Sequence, residues 1–287
     1  MPYTYTPLRY PGGKTKLYSY VKAVLDANNL HGTYIEPFAG GAGLALKLLF
    51  MNDVKRIVIN DSDPAIFSIW QAILETPDEL CRFVSEVPLT IDEWEKQREN
   101  YMLRRDAPSI ELAKSALFLN RTNISGVIKG GVIGGKNQTG TYKMDARFNR
   151  DELIRKIREI HNHRDQIDIF NLDALEFLNP TVLRHYYKAL INFDPPYVVK
   201  GSELYMNAYQ EDDHRRLCDA IKRCSRKWIV TYDVCDLIAD LYGDYRNSYL
   251  DLTYSANGTR KAKEFVFFSN NLIIPDGVTL IDNPKPR

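Results

Sequence analysis

No stretch of this 287-residue sequence approaches the run of about 20 apolar residues that crosses a membrane. Met1-Pro2-Tyr3-Thr4 does not read as a signal peptide. Cysteine is scarce: Cys81, Cys218, Cys224 and Cys235 form no Cys-x-x-Cys pair, and they read as reduced cytosolic thiols rather than a disulfide framework. Among five histidines the one close pair is His161-Asn162-His163. At i and i+2 on a helical pattern the two point to different faces, which argues against a metal site. An excess of one charge is also missing: 38 Lys and Arg stand against 37 Asp and Glu, a formal +1. That balance does not announce a nucleic-acid binder, although a local basic patch would be enough. There is no internal repeat and no low-complexity segment. The remaining composition is that of an ordinary globular chain, long enough for one large domain or for one domain with an insertion.

Two nucleotide signatures are absent as well. Pro11-Gly12-Gly13-Lys14 is a glycine-rich loop ending in lysine, but without the Gly-x-x-x-x-Gly-Lys-Ser/Thr spacing of a phosphate loop. The turn Phe38-Ala39-Gly40-Gly41-Ala42-Gly43 lacks the Gly-x-Gly-x-x-Gly of a dinucleotide site. It does follow a short apolar strand from Thr33 and precede an apolar helix over 44–50. This is the first strand–helix unit of a doubly wound sheet, in which ligands sit beyond the carboxyl ends of the strands. The glycines remove side chains so that a ligand can approach the backbone.

The rest of the pattern alternates in the same way. A helix is expected from Lys16 to Leu25. A second strand, 56–61, ends in Asp61, about 20 residues after the glycine turn, where a carboxylate commonly meets ribose hydroxyls. Asp61 would otherwise cap the helix that starts at Pro64, unless Asp63 takes that role. Four helical stretches follow, over 65–74, 77–87, 91–103 and 110–119, with no strand among them. Residues 120–147 are rich in Gly, Asn, Thr, Lys and Arg and cannot build a core of their own. A loop of this length in a compact domain is usually functional or disordered. Its small amides and basic groups suit a mobile hairpin touching phosphates and base edges. A helix over 151–162 returns to strands at 167–171, 189–193 and 227–232, and then to an antiparallel pair at 245–254 and 264–268. The segment 255–263 reads as a small basic loop.

The most informative residues are Asn192-Phe193-Asp194-Pro195-Pro196-Tyr197. They close an apolar strand. Two prolines fix φ and donate no hydrogen bonds, so carbonyl acceptors are left beside a carboxylate and an aromatic ring. Acceptors next to a flat ring suit a planar group bearing an amine, such as a nucleobase.

Asp194-Pro195-Pro196-Tyr197 resembles the catalytic tetrapeptide of amino-methyltransferases acting on DNA. With the order of the other motifs, roughly from Pro7 to Asn270, the chain is similar to the Dam-type, D12 class adenine-N6 DNA methyltransferases. The resemblance implies a Rossmann-like, S-adenosylmethionine-dependent catalytic domain (1–63 and 150–287) with an inserted, mostly helical DNA-recognition domain (64–149). It implies double-stranded DNA as partner, S-adenosylmethionine as methyl donor and no metal. Catalysis would fall to Asp194, Pro195, Pro196 and Tyr197. The donor would meet Tyr10, Lys14 (through its carboxylate), Phe38, Ala39, Gly40, Gly41, Asp61, Asp194 and, at its adenine, Asp173, for which capping the helix after it is the other role. DNA would meet Arg121, Asn123, Lys129, Lys136, Lys143 and Arg260. Residues 201–206 would close over the target base. A cytosine-N4 enzyme, which usually carries Ser in place of Asp194, and a silent DNA-binding relative are the alternatives.

Overall fold

The computed structural model describes residues 4–10, 12–198, 209–254 and 260–275. A seven-stranded sheet runs through it in the order β3-β2-β1-β4-β5-β7-β6. Strands β1 (Thr33–Glu36), β2 (Arg56–Asn60), β3 (Ile167–Phe170), β4 (Ala189–Phe193) and β5 (Lys227–Asp233) are parallel. Strand β7 (Arg260–Phe268) enters antiparallel between β5 and β6 (Arg246–Tyr254). Every residue of β1 and β4 is buried, as continuous apolar runs covered on both faces must be. Ile35 of β1 registers with Val58 on one side and Ile191 on the other. The chain therefore leaves β1 in one direction and returns beside it from the other. Such a reversal opens a crevice beyond the carboxyl ends of β1 and β4.

Helices cover both faces. Helices α1 (Tyr18–Asn28) and α2 (Gly43–Phe50) share one buried cluster with β2. Helix α1 is preceded by a 3-10 turn, Lys14–Leu17, and ends where Asn29 takes a left-handed conformation. The other face packs Phe177, Ile191, Phe193, Trp228 and Phe267 against the helix Glu211–Arg223. Each such fully buried large side chain contributes about 1.5–3 kcal/mol.

Between β2 and β3 stand α3 (Pro64–Glu75), α4 (Pro77–Glu86), α5 (Ile91–Arg104), α6 (Ile110–Thr122) and α7 (Arg150–Asn162). All of these but α4 start at a side-chain cap: Asp63 Oδ1 accepts from Ala65 N–H at 2.8 Å, and Ser109 Oγ from Leu112 N–H at 3.1 Å. Pro64 takes the first position of α3, where a missing N–H costs nothing. Helix α6 is buried on most of its surface, Ser115, Asn120 and Thr122 included, and lies packed among α3, α4 and α5. Its Leu117 shares one buried cluster with Trp70, Leu46 and Ile57, so the core of these helices is continuous with the sheet.

The glycine-rich stretch after α6 is docked rather than coreless. Val132, Met144 and Phe148 are buried, and Phe148 meets Phe118 of α6 at 5.8 Å between ring centres. Asn123 bridges Val132 in an isolated antiparallel pair. Two further differences from the sequence pattern concern the far edge. Strand β7 begins at Arg260 rather than 264, so the basic residues Arg260, Lys261 and Lys263 lie on a strand. Short helices at Pro180–Leu183 and Asp236–Tyr242 escaped a pattern search because neither spans the turns needed to show a period. No helix among the described residues is long and apolar enough to cross a membrane.

Candidate active site

The glycine turn after β1 holds its shape through three fixed contacts. Ala39 N–H donates to Asn60 O at 2.9 Å, Gly40 N–H to Asp61 Oδ2 at 2.8 Å, and Trp70 Nε1–H to Gly40 O at 3.0 Å. Gly40 has φ +47°, and a Cβ there would lie 2.5 Å from Tyr10 Cε1. Only glycine meets both conditions without strain. The Tyr10 ring thus lies directly over the turn. The structure brings Tyr10, Ala39, Gly40, Gly41 and Asp61 into one place, with a narrow crevice alongside, lined by Ala39, Asp61, Phe67, Trp70 and Phe170 among others. Phe38 turns to the Tyr209 ring instead, edge-on at 6.1 Å.

Asp61 Oδ1 accepts from Asp63 N–H at 3.0 Å, and Asp63 itself caps α3. The cap and the ribose candidate are therefore different residues. Burial, with Asp63 nearby, pushes the Asp61 carboxyl up to about 7, while the two backbone N–H groups restrain it. Asp173 is exposed and caps Ala174–Phe177, its Oδ1 accepting from Leu175 N–H at 2.9 Å.

Beside the turn, β4 delivers Asp194. Its carboxylate is bonded asymmetrically. Thr231 Oγ1 at 2.7 Å, Lys14 Nζ at 2.9 Å and the Tyr197 hydroxyl at 3.5 Å all meet Oδ1. Among the described residues Oδ2 takes no hydrogen bond. The Asp194 side chain keeps 23% of its surface exposed, while Tyr197 is buried. Asp233, at the end of β5, accepts from Val198 N–H at 3.0 Å and pins the far side of this loop.

Lys14 is committed to this cluster. It also donates to the Tyr197 hydroxyl at 2.7 Å and to Gly12 O at 3.1 Å, and it stands 3.4 Å from Glu264 Oε2. The sequence reading aimed Lys14 at a cofactor carboxylate. The structure pairs it with the carboxylate at the catalytic position instead. Burial alone would lower the Lys14 ammonium, but Asp194 and Glu264 outweigh it and hold the group raised. Burial raises Asp194, against the pull of Lys14. Glu36, at the end of β1, is pushed up to about 8 by burial and by Asp194, and so carries a proton at neutral pH. Glu36, Glu264 and Thr231 were missed in the sequence. Each is an isolated polar residue in a strand, and only the strand order brings the three together.

The expected DNA contacts divide. Lys129, Lys136 and Lys143 are exposed, and Lys136 pairs with Glu95 at 2.7 Å. Two others point inward, which corrects the sequence reading for this conformation. Asn123 is fully buried: its Oδ1 accepts from Trp94 Nε1–H at 2.7 Å, and its amide donates to Val127 O and Ile128 O. Arg121 gives its guanidinium to Arg147 O at 2.7 Å and Pro7 O at 3.3 Å, and burial lowers it to about 10. The backbone of Arg260 lies in β7, while its side chain and residues 201–206 lie outside what is described.

An N-terminal strap joins these parts. Arg9 N–H donates to Asn120 Oδ1, and the Asn120 amide donates back to Arg9 O and on to Gly126 O, each at 2.8 Å. Arg9 also donates to Asn123 O at 2.9 Å. Gly126 has φ +79°, and any side chain there would strike the Arg9 carbonyl.

Comparison with known proteins follows this geometry. The sequence profile of the D12 class N6 adenine-specific DNA methyltransferases matches residues 10–256. The type II methyltransferase M.MjaIII of Methanocaldococcus jannaschii is 24% identical over 246 residues, covering 77% of this chain and 80% of its own. The type II methyltransferase M.CviBI of Paramecium bursaria Chlorella virus NC1A is 22% identical over 258 residues, covering 86% and 90%. Among solved structures, the rRNA methyltransferase aviRa of Streptomyces viridochromogenes overlays 90% of this chain and 85% of its own, with a TM-score of 0.37 at 12% identity.

Proposed function

The chain belongs to the D12 class N6 adenine-specific DNA methyltransferase family, and on that premise we propose that it moves a methyl group from S-adenosylmethionine to the N6 amine of an adenine flipped out of duplex DNA. The observation that carries the reading is Asp194 at the β1–β4 reversal, beside the glycine turn, with Oδ1 saturated and Oδ2 open.

The glycine turn fits the donor. Gly40 and Gly41 present bare backbone under the Tyr10 ring, and Asp61 ends β2 where ribose hydroxyls are met. Tyr10, Phe38, Ala39, Gly40, Gly41 and Asp61 would hold it. When bound, S-adenosylmethionine supplies an electrophilic methyl on a sulfonium. Two carboxyl groups, Asp194 and Glu264, stand against one ammonium, Lys14, an acidic balance that suits a cationic donor.

The chain's own residues then act on the base. Extruding it costs a few kcal/mol, and stacking on Tyr197 returns about 1–3 kcal/mol. Tyr197 is buried here, so its ring meets the base only after its loop opens. Asp194 Oδ2 and the Pro195 carbonyl accept the two amine N–H bonds. This favours a tetrahedral nitrogen and frees the lone pair, which bonds the methyl as the sulfonium–methyl bond breaks. The positive charge that develops on N6 is stabilised and is discharged when the surplus N6 proton leaves for solvent by way of Asp194 Oδ2. Thr231 and Lys14 hold Oδ1 so that the carboxylate does not rotate. Lys129, Lys136 and Lys143, with Arg260, supply phosphate contacts.

The test is transfer of radiolabelled methyl groups to duplex DNA followed by nucleoside analysis. N6-methyl-2′-deoxyadenosine is expected from the wild type and none from a folded Asp194→Ala. Tyr197→Ala should lose most activity. Labelled N4-methylcytosine would favour the cytosine alternative, and an unlabelled product would make the chain a silent DNA-binding relative.

A further inference from the structure

Glu264 touches none of the reacting groups in the chemistry above, yet it lies within the site, 3.4 Å from Lys14 Nζ. It sits in the interior of β7, registered with Asp233 of β5 and Leu250 of β6, and it is 1% exposed. A carboxylate buried inside a strand weakens the strand unless it is paired, and an apolar residue would serve the sheet better. Its paired cation among the described residues is Lys14, which is flanked by Glu264 at 3.4 Å and Asp194 at 2.9 Å. Lys14 itself stands on a single 3-10 turn and reaches Asp194 through a long flexible side chain. A strand hydrogen-bonded on both edges is a firmer anchor than that turn.

We propose that Glu264 is a positioning residue for methyl transfer: it fixes Lys14 against Asp194 Oδ1, so that Oδ2 is left for the substrate amine. The inference rests on the reading of Asp194 given above. The charged and titratable groups facing the pair are Glu36 from β1, Asp194 and Tyr197 from the loop after β4, and Asp233 from β5.

The charge of Glu264 raises both Lys14 and Asp194. Glu264→Gln removes that charge and keeps the shape. In single-turnover methyl transfer the acid limb reports Asp194 ionisation and the alkaline limb Lys14 deprotonation. Both limbs should therefore move to lower pH together, by about one pH unit. A merely structural loss would lower the rate without displacing both limbs in one direction. In a Lys14→Met background, Glu264→Gln should cost nothing further or restore activity. If Glu264→Gln does not fold, Glu264→Asp keeps the charge but withdraws it from Lys14, and should show a smaller displacement of the same sign.

Limbs that stay in place, or an equal loss in both backgrounds, would overturn the inference while a dead Asp194→Asn left the Asp194 reading intact. An active Asp194→Asn would remove the reading itself.

Discussion

Replacing Lys14 by Met tests the electrostatics of the site most directly. The ammonium lies 2.9 Å from Asp194 Oδ1 and 3.4 Å from Glu264 Oε2, and its side chain is 5% exposed. Removing one partner of a buried ion pair costs about 3–5 kcal/mol, because the remaining charge is left unpaired. Asp194 keeps some access to solvent, so the lower end, about 3 kcal/mol, is expected at pH 8. The pH dependence is the sharper part. Without Lys14, burial drives the Asp194 carboxyl above its unfolded value. A group raised in this way costs nothing below its unfolded pKa and costs more as pH climbs through its folded pKa. The stability gap between wild type and variant should therefore be widest at pH 8 and close, or reverse, towards pH 4. Urea unfolding at a series of pH values measures it. Methyl transfer at pH 7.5 should fall about a hundredfold, the loss that follows removal of one charge-positioning group. A gap of equal size at pH 5 and pH 8, or full turnover in the variant, would refute the reasoning.

Two other outcomes follow from the geometry. Asn123→Ala leaves the Trp94 indole N–H and the Ile128 carbonyl without partners, while Val127 O keeps the Gly130 N–H. At about 1–3 kcal/mol for each unsatisfied group, unfolding should cost roughly 3 kcal/mol less. DNA affinity measured by fluorescence anisotropy should weaken while donor affinity holds. Gly40→Ala forces a left-handed alanine, at about 1–2 kcal/mol, against the Tyr10 ring. Its calorimetric donor affinity should drop with little change in DNA binding, and unaltered donor binding would detach the turn from that role.

The strands and the catalytic loop were legible because their signals are local. Residues 189–193 form an apolar run, and Asp-Pro-Pro-Tyr at its end states its chemistry within four positions. The nearness of Asp61 to the glycine turn was legible for the same reason, since the spacing between them lies within one strand–helix unit. The ion pairs of Lys14 were not legible because its partners, Asp194 and Glu264, lie far along the chain, and nothing in Gly-Gly-Lys distinguishes a lysine bound to ligand from one bound to protein. Glu264 was invisible until β7 was seen to insert antiparallel between β5 and β6. Asn123 and Arg121 show the opposite failure. Amides and guanidinium groups in a glycine-rich stretch suit nucleic acid, but they serve equally to satisfy the carbonyls of an irregular loop. Composition does not say which way they face; Trp94 and Arg147 decide that.

The strap at residues 4–10 binds itself to the inserted helices through Arg9 and Asn120, and to the glycine turn through Tyr10. The insertion therefore does not travel alone. A chimera that took 64–149 from a relative would arrive without the backbone that Asn120 reads and without the carbonyl that Gly126 accommodates. Exchanging the 64–149 helices in this architecture means moving two separated pieces of chain together.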